Sequence, residues 1–301
     1  MFCRHNRPTN KCAICSNEQE PPPIKYVTVR KPGTTSSPRG RGASTSGGTA
    51  KSTSSRSTKT NTNRLVTRKL TRAADDGYRN PLAPGLKATA DAERLAGALT
   101  QAVARLEPPG PYAFVAEIED PEQATWLAFL AALAPDLREQ IETAQPAWGE
   151  DPQLPQSLTK TIDAYKAWVE RQGSQDEAFT GEPSWTPERR FDRVFERLNL
   201  PGFTRAARFD LLTGLGSAGL YPLEAGQVQF VEDDATTLAA KRLLVSGDRM
   251  LLERRAKDFA EAAELPIAAL DHGLAVWGTP GEHVDLTVDP LPGVASALRI
   301  G

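Results

Sequence analysis

The sequence predicts a mainly α-helical domain that follows a long basic segment without a fold of its own. The 301 residues change composition sharply near residue 80, and beyond it apolar residues recur at the three- and four-residue spacing of a helix with one buried face. Only residues 227–230 (QVQF) alternate like a short strand. These changes divide the chain into residues 1–17, 18–80, 81–280 and a C-terminal tail, 281–301.

Several helix starts are marked by their own residues. Asp120 and Thr186 are each followed by proline, which is favoured at the first helical position, and each precedes an apolar stripe. Thr89 precedes another stripe that includes Leu95 and Leu99. Further helices are predicted over about 205–212, 235–245, 249–263 and 266–277.

Charge is distributed very unevenly along the chain. Residues 1–80 contain sixteen Lys and Arg against four acidic residues, a net charge of +12, and because the whole chain carries −2, the remainder carries −14. Residues 18–80 are rich in Ser, Thr, Gly and Pro, so they cannot bury enough apolar area to offset the entropy of ordering them. We therefore predict a disordered basic linker that tethers an acidic domain to a polyanion.

The composition also bears on location. No run approaches the roughly 18 to 20 apolar residues that span a bilayer. The first residues, MFCRH, lack the apolar core of a signal peptide. We expect a cytoplasmic protein with no membrane partner.

All three cysteines lie in the first fifteen residues, together with a histidine. Cys3 and His5 are followed by Cys12 and Cys15, and a Cys-x-x-Cys turn can direct two thiolates at one ion. The four side chains would complete a tetrahedral structural zinc site, so residues 1–17 are predicted to form a zinc knuckle. The alternative is a set of free thiols in an unfolded leader.

A second motif lies between two predicted helices, in residues 200–212 (LPGFTRAARFDLL). A tight turn at Pro201 and Gly202, followed by the start of a helix at Thr204, can present backbone N–H groups to a DNA phosphate, and Arg205 and Arg208 would add charged contacts. This is the pattern of a helix-hairpin-helix, although Thr204 stands where that motif usually has a second glycine. The alternative is an ordinary helix-turn-helix corner.

Acidic residues 232–234 (EDD) come directly before the helix predicted from Ala235. Asp234 is a typical N-cap, and this structural role explains it fully. A catalytic role is also open, in which Asp234 or Asp233 presents a carboxylate at a DNA cleft. Both roles are compatible.

Two weaker patterns receive structural interpretations. Residues 214–219 (GLGSAG) fit the Gly-x-Gly-x-x-Gly spacing of dinucleotide-binding loops, but a helix precedes them where a strand is needed, so we predict a helix end and a loop. His272 and His283 are expected to be surface histidines or to have their hydrogen bonds satisfied.

Taken together, these segments resemble the alpha-glutamyl/putrescinyl thymine pyrophosphorylase family, clade 3. The resemblance runs from about residue 75 to residue 277 and is carried by residues 75–78 (DDGY), 179–191 (FTGEPSWTPERRF), 200–203 (LPGF), 233–237 (DDATT) with 240–242 (AKR), and 270–271 (LD). The N-terminal knuckle resembles leaders of bacterial members.

The resemblance implies a DNA-glycosylase-like, helix-hairpin-helix domain that acts on modified thymine in DNA. In related pathways a hydroxymethyluracil is activated as a phosphate ester, and an amine such as putrescine or an amino acid displaces the ester. DNA with a modified thymine and an amine co-substrate are therefore the implied partners. Fold alone does not fix function.

Three functions stay open on the sequence. The first is an enzyme that modifies or removes a base in DNA, which requires a pocket for the extruded base. The second is a DNA-binding module without chemistry, and the third is a zinc-tethered protein-interaction domain. A pocket lined by Asp234 would favour the enzyme, and a closed hairpin surface with no cleft would favour the DNA-binding module. Absence of salt-dependent DNA binding would favour the interaction domain.

Overall fold

The structure, a computed structural model, describes residues 73–150, 154–232 and 234–301. Within these ranges the chain is mainly helical and contains no strand, which confirms the predicted fold class. None of the described helices has the length and apolar character needed to cross a membrane. The predicted zinc ligands Cys3, His5, Cys12 and Cys15, the linker up to residue 72, and Asp233 lie outside the described residues.

Twelve α-helices and three short 3₁₀ turns make up the described ranges. The helices are α1 (Thr89–Leu106), α2 (Ala113–Ala116), α3 (Pro121–Leu133), α4 (Arg138–Ala144), α5 (Thr159–Gln172), α6 (Gln175–Thr180), α7 (Pro187–Arg197), α8 (Arg205–Ser217), α9 (Ala235–Leu244), α10 (Arg249–Ala262), α11 (Ile267–Gly278) and α12 (Pro292–Leu298). The 3₁₀ turns are Gly110–Tyr112, Pro135–Leu137 and Gln156–Leu158.

The predicted capping residues begin two of these helices. The Asp120 carboxylate accepts a hydrogen bond from Glu122 N at 3.0 Å, and the Thr186 hydroxyl accepts one from Arg189 N at 3.3 Å. Thr89 is the first residue of α1, and its own N–H is bound by the Asp76 carboxylate at 2.8 Å. The predicted helix starts are confirmed at these points.

The helices form two lobes, each with its own apolar core. The middle lobe contains α2 to α8, and its core is continuous in sequence from Tyr112 to Ala225. The terminal lobe contains α1 and α9 to α12, and its core combines residues on both sides of the middle lobe in sequence, such as Leu95 and Leu270. The chain therefore leaves the terminal lobe after α1 and returns to it before α9, so the two lobes face each other across a seam.

The predicted strand at residues 227–230 is wrong. The N–H groups of Val228 and Phe230 donate to the Glu253 carboxylate of α10 at 3.1 and 2.7 Å, and the carbonyls of Val228 and Gln229 accept from the Arg205 guanidinium. Gln229 has a φ of +63°, a left-handed conformation that no strand contains. The Glu253 and Arg205 side chains thus bind the backbone groups that a neighbouring strand would otherwise bind. The alternating sequence pattern reflects only the burial of Val228 and Phe230.

Three predicted boundaries also need correction. Gly214 and Gly216 lie inside α8, and the predicted helix end comes only after Ser217. Gly214 is required by packing, because a side chain there would meet the Tyr112 ring. The tail 281–301 contains α12, whose Val294 and Leu298 are buried in the terminal lobe. The end of the predicted linker is folded as well, since Asn80 is buried and donates to Ala297 O at 2.8 Å.

Candidate functional site

A cavity of about 450 Å³ lies at the seam between the lobes. This volume falls in the range of roughly 300–1,000 Å³ that is usual for small-ligand sites. The middle lobe contributes the end of α3, the hairpin turn and α8, and the terminal lobe contributes α1, α9 and α11. The polar side chains in its wall are Arg105, Thr204, Asp210, Thr236, Asp271 and His272.

The predicted hairpin turn forms one edge of the cavity. Pro201 and Gly202 are exposed, while the Thr161 hydroxyl of α5 donates to Pro201 O at 2.7 Å and fixes the turn. Gly202 has a φ of +79°, and a Cβ there would come within 2.5 Å of Thr161 Oγ1, so both the backbone and the space require glycine. The sequence motif is therefore a true tight turn between α7 and α8.

Thr204 begins α8 as its N-cap. Its hydroxyl accepts from Ala207 N at 3.1 Å, and Thr204 and Ala206 are exposed. The first N–H groups of a helix have no partner within it, so that of the exposed Ala206 is available at this surface. The turn thus has the backbone geometry that the helix-hairpin-helix prediction requires.

Arg205 and Arg208 do not have the exposure that phosphate contacts require. Arg205 is only 3 % exposed, and its guanidinium donates inward to the carbonyls of Val228 and Gln229. Arg208 is also buried, with Nη1 donating to Phe195 O at 3.2 Å and the guanidinium over the Phe195 ring. The prediction that both side chains contact DNA is therefore not supported by their positions; both hold helices together.

Asp234 is the N-cap of α9, which confirms its structural interpretation. Its carboxylate accepts from Thr237 N at 3.3 Å and lies 3.8 Å from Arg205 Nη1. Asp234 is absent from the cavity wall described above. A catalytic role for this residue stays a prediction with weaker geometric support than its capping role.

Arg205 is paired more closely with Asp271 of α11, across the seam. Nη2 of Arg205 lies 2.6 Å from Oδ1 of Asp271, and both side chains are almost completely buried. Among the described residues, Asp271 Oδ1 and Arg205 Nη1 each have no partner with hydrogen-bond geometry. A buried ion pair that leaves polar atoms unsatisfied is costly unless a further group completes it.

Asp210 of α8 forms a second polar group in the same wall. The Tyr112 hydroxyl donates to its Oδ2 at 2.5 Å, and Arg105 Nη2 of α1 donates to its Oδ1 at 2.9 Å. Burial and the neighbouring Asp210 charge raise the pKa of Tyr112 well above its ordinary value, so the phenol stays protonated and remains a donor. Asp210 is thereby held in one orientation from both lobes.

His272 of α11 lies beside Asp210, contrary to the expectation of a surface or satisfied histidine. It is 9 % exposed, its Nε2 is 3.8 Å from Asp210 Oδ1, and Nε2 has no hydrogen-bond partner among the described residues. Burial lowers the pKa of His272 below its ordinary value, and the nearby Asp271 and Asp210 charges oppose that shift only in part. The imidazole is therefore neutral at pH 7.

The structure thus brings together a different set of polar residues from the predicted one. The hairpin turn and Thr204 reach the cavity, but Asp210, Asp271, His272 and Arg105 were not predicted to line it, nor Tyr112 to support Asp210. The available signal was weak: Asp210 follows the hairpin within two helical turns, and Leu270 and Asp271 carried part of the family resemblance. These residues come from three helices and a 3₁₀ turn and meet in space and not in sequence, so spacing alone could not identify them.

Comparison with protein families gives one match. Residues 149–281 match the family described as alpha-glutamyl/putrescinyl thymine pyrophosphorylase, clade 3. The matched range includes the hairpin, Asp210, Asp271 and His272, whereas Arg105 and Tyr112 precede it. Neither the curated proteins nor the solved structures contain a match to this chain.

Proposed function

We propose, from the premise that residues 149–281 belong to the alpha-glutamyl/putrescinyl thymine pyrophosphorylase family, clade 3, that this protein modifies a thymine-derived base in DNA. The observation that carries the proposal is the cavity beside the hairpin turn, with buried Asp271, partly buried Asp210 and a neutral histidine in its wall. A DNA-binding module without chemistry, or a protein-interaction domain, has no need of a buried ion pair and a buried histidine beside a cavity.

The DNA backbone would lie along the exposed hairpin turn. Backbone N–H groups at the start of α8 suit a phosphate, since a helix N-terminus favours an anion. Lys160, exposed in the first turn of α5 beside Thr161, would supply the charge that Arg205 and Arg208 do not present. The target base would leave the stack and enter the cavity, because a base inside a duplex cannot be reached.

The reaction that we propose is displacement of a phosphate ester by an amine. The substrate would be a hydroxymethyluracil whose exocyclic oxygen carries phosphate or pyrophosphate. The amine nitrogen forms a bond to the methylene carbon, the carbon–oxygen bond breaks, and the phosphate group leaves with the electron pair. Arg105, partly exposed at the cavity wall, is placed to neutralise the departing anion, while Asp210 favours the cationic amine.

Removal of the base is the less favoured alternative. Cleaving a base from its sugar requires a carboxylate that can stabilise developing positive charge. The charge of Asp234 is directed towards Arg205 and the Thr237 N–H, and Asp271 is paired with the same arginine. Both carboxylates are therefore already partly neutralised by a cation.

The basic N-terminal region would tether the helical domain to DNA by electrostatic attraction, and a metal ion would stabilise its first residues. We propose that Cys3, His5, Cys12 and Cys15 bind one zinc ion, and that residues 18–72 add DNA affinity without sequence preference. Metal analysis of the purified full-length protein should find about one zinc per chain. The loss of that zinc when Cys12 and Cys15 are changed to Ser would support the ligand set, and an unchanged zinc content would contradict it.

Mass spectrometry of nucleosides tests the proposed reaction. The full-length protein is incubated with hydroxymethyluracil DNA, before and after its phosphorylation, in the presence and absence of putrescine or amino acids. We expect a new nucleoside whose mass includes the amine, formed only from phosphorylated DNA, together with release of the phosphate group.

Two other outcomes would be decisive. Release of free base and formation of abasic sites would establish removal in place of displacement. Recovery of unchanged nucleosides under all conditions, from protein that binds DNA, would contradict an enzymatic role.

A further inference from the structure

We propose that Asp210 and His272 form a general-base pair that takes the proton from the amine co-substrate, with Tyr112 and Arg105 holding Asp210 in place. The proposal rests on the proposed displacement reaction and deepens it, because a primary amine is mostly an ammonium ion at pH 7 and has no lone pair for attack. The site therefore needs a group that can remove one proton.

The geometry singles out His272 for this role. Its ring lines the cavity and its Nε2 faces Asp210 Oδ1 at 3.8 Å, a distance too long for a hydrogen bond but within reach of a small side-chain rotation. Catalytic hydrogen bonds are often long before the substrate is bound. With Nε2–H directed at the carboxylate, Nδ1 is the nitrogen that carries the lone pair.

Asp210 is fixed more rigidly than a surface carboxylate. Its two oxygens accept separate hydrogen bonds, one from Tyr112 of the middle lobe and one from Arg105 of the terminal lobe. The carboxylate can therefore orient the imidazole and stabilise the imidazolium that forms when His272 accepts a proton. Arg105 also links the pair to the terminal lobe, since it reaches Asp210 from α1.

Charged groups from several helices act on His272. Asp271 on α11 and Asp210 on α8 favour its protonated form, while Arg105 on α1 and Arg205 on α8 oppose it. Asp234, at the start of α9, contacts Arg205 and so affects the charge near His272 through that arginine. Burial outweighs the two carboxylates and keeps the imidazole neutral, which is the state that a base requires.

The proton and electron balance of the step is complete. The ammonium transfers a proton to His272 Nδ1, the free amine attacks the methylene carbon, and the carbon–oxygen bond electrons leave with the phosphate group. The product nitrogen keeps the positive charge of an ammonium ion, and His272 returns the proton that it accepted to solvent. Neither an oxidant nor a reductant is needed.

The first test is the pH dependence of turnover in the full-length protein. The wild-type rate should fall below the pKa of His272, and His272→Gln should lower the maximum rate by about 10²- to 10⁴-fold, the usual contribution of a general base. Asp210→Asn should move the acidic limb to lower pH, because the imidazolium loses a stabilising negative charge. His283→Gln, a change at an exposed histidine, serves as the matched control and should leave the profile unchanged.

Two measurements separate a base from a structural histidine. Nuclear magnetic resonance titration of the imidazole, assigned with the two histidine variants, should show that Asp210→Asn lowers the pKa of His272. Added imidazole should restore part of the turnover of His272→Gly, in which the ring's space is vacant.

The possible failures are distinguishable. Wild-type protein that converts its substrate, with His272→Gln equally active and unchanged in pH profile, would overturn the base assignment and leave the proposed reaction intact. Wild-type protein that leaves phosphorylated hydroxymethyluracil DNA unchanged would overturn both. A His272 pKa that does not respond to Asp210→Asn would overturn the pairing even where turnover is lost.

Discussion

The hairpin turn and the cleft wall behind it are adjacent in sequence but opposite in character. Pro201, Gly202 and Thr204 are exposed and offer backbone groups without a side-chain charge. Arg205 and Asp210, a few residues further on, are turned towards the seam and engaged with residues of the terminal lobe. We therefore assign binding of the DNA backbone to the exposed side of the start of α8, and chemistry on the base to its side that faces the seam. Mutations on the two sides should affect DNA affinity and turnover separately.

The buried ion pair should give the largest effect on stability. Asp271→Ala leaves the Arg205 guanidinium buried without its nearest carboxylate, and we expect a loss of about 3–5 kcal/mol in the free energy of unfolding. Urea unfolding measures this change. Glu196→Ala removes an exposed partner of Arg193 and should have a much smaller effect.

A companion variant tests the cause of this loss. If the cost arises from an unpaired charge, Arg205→Met combined with Asp271→Leu should recover a large part of the stability. Equal destabilisation by Asp271→Ala and Glu196→Ala would mean that the seam is open to water. It would contradict the difference in burial between the exposed hairpin turn and the cleft wall.

The basic segment should give the next largest effect, on DNA affinity. The domain beyond residue 80 carries −14, and its hairpin turn has few charges, so long-range attraction must come from the segment before it. Deleting residues 18–72 should weaken binding by about tenfold or more at low salt and flatten the salt dependence. Titrations with unrelated sequences check that the loss is uniform; a change in sequence preference would contradict a simple tether.

Variants of Asp234 and Asp271, the two aspartates that contact Arg205, should differ by a smaller amount in stability and in turnover. Asp234→Ala should cost about 1 kcal/mol through loss of the N-cap, whereas Asp234→Asn should cost less because Asn caps a helix nearly as well. Asp271→Asn should reduce turnover more than Asp234→Asn, since only Asp271 lines the cavity. Comparison of kcat for the two Asn variants decides between them, and a greater loss for Asp234→Asn would restore the catalytic role predicted from the sequence.

Local signals explain what the sequence could predict. The helix starts at Asp120 and Thr186 and the tight turn at Gly202 were predictable, because each depends on capping or on a backbone conformation within a few residues. The burial of Arg205 and the non-strand conformation of residues 227–230 were not predictable. Arg205 is buried by Asp271, sixty-six positions later, and residues 227–230 are held by Glu253, so both outcomes depend on long-range packing.

Lys160 should give the smallest effect and the most specific test of the exposed face. It lies in the first turn of α5, next to the Thr161 that binds the hairpin turn, so a phosphate held by the N–H groups of α8 would be within its reach. Lys160→Ala should weaken DNA binding by roughly three- to tenfold and lower the salt slope by about one unit. Arg171→Ala, at an exposed position in the last turn of the same helix and about 16 Å away along its axis, is the matched control. Fluorescence anisotropy with labelled duplex DNA measures both variants, and unfolding curves should be unchanged for each. If the two variants weaken binding equally, the affinity reflects net charge alone, and the hairpin turn is not the surface that contacts the DNA backbone.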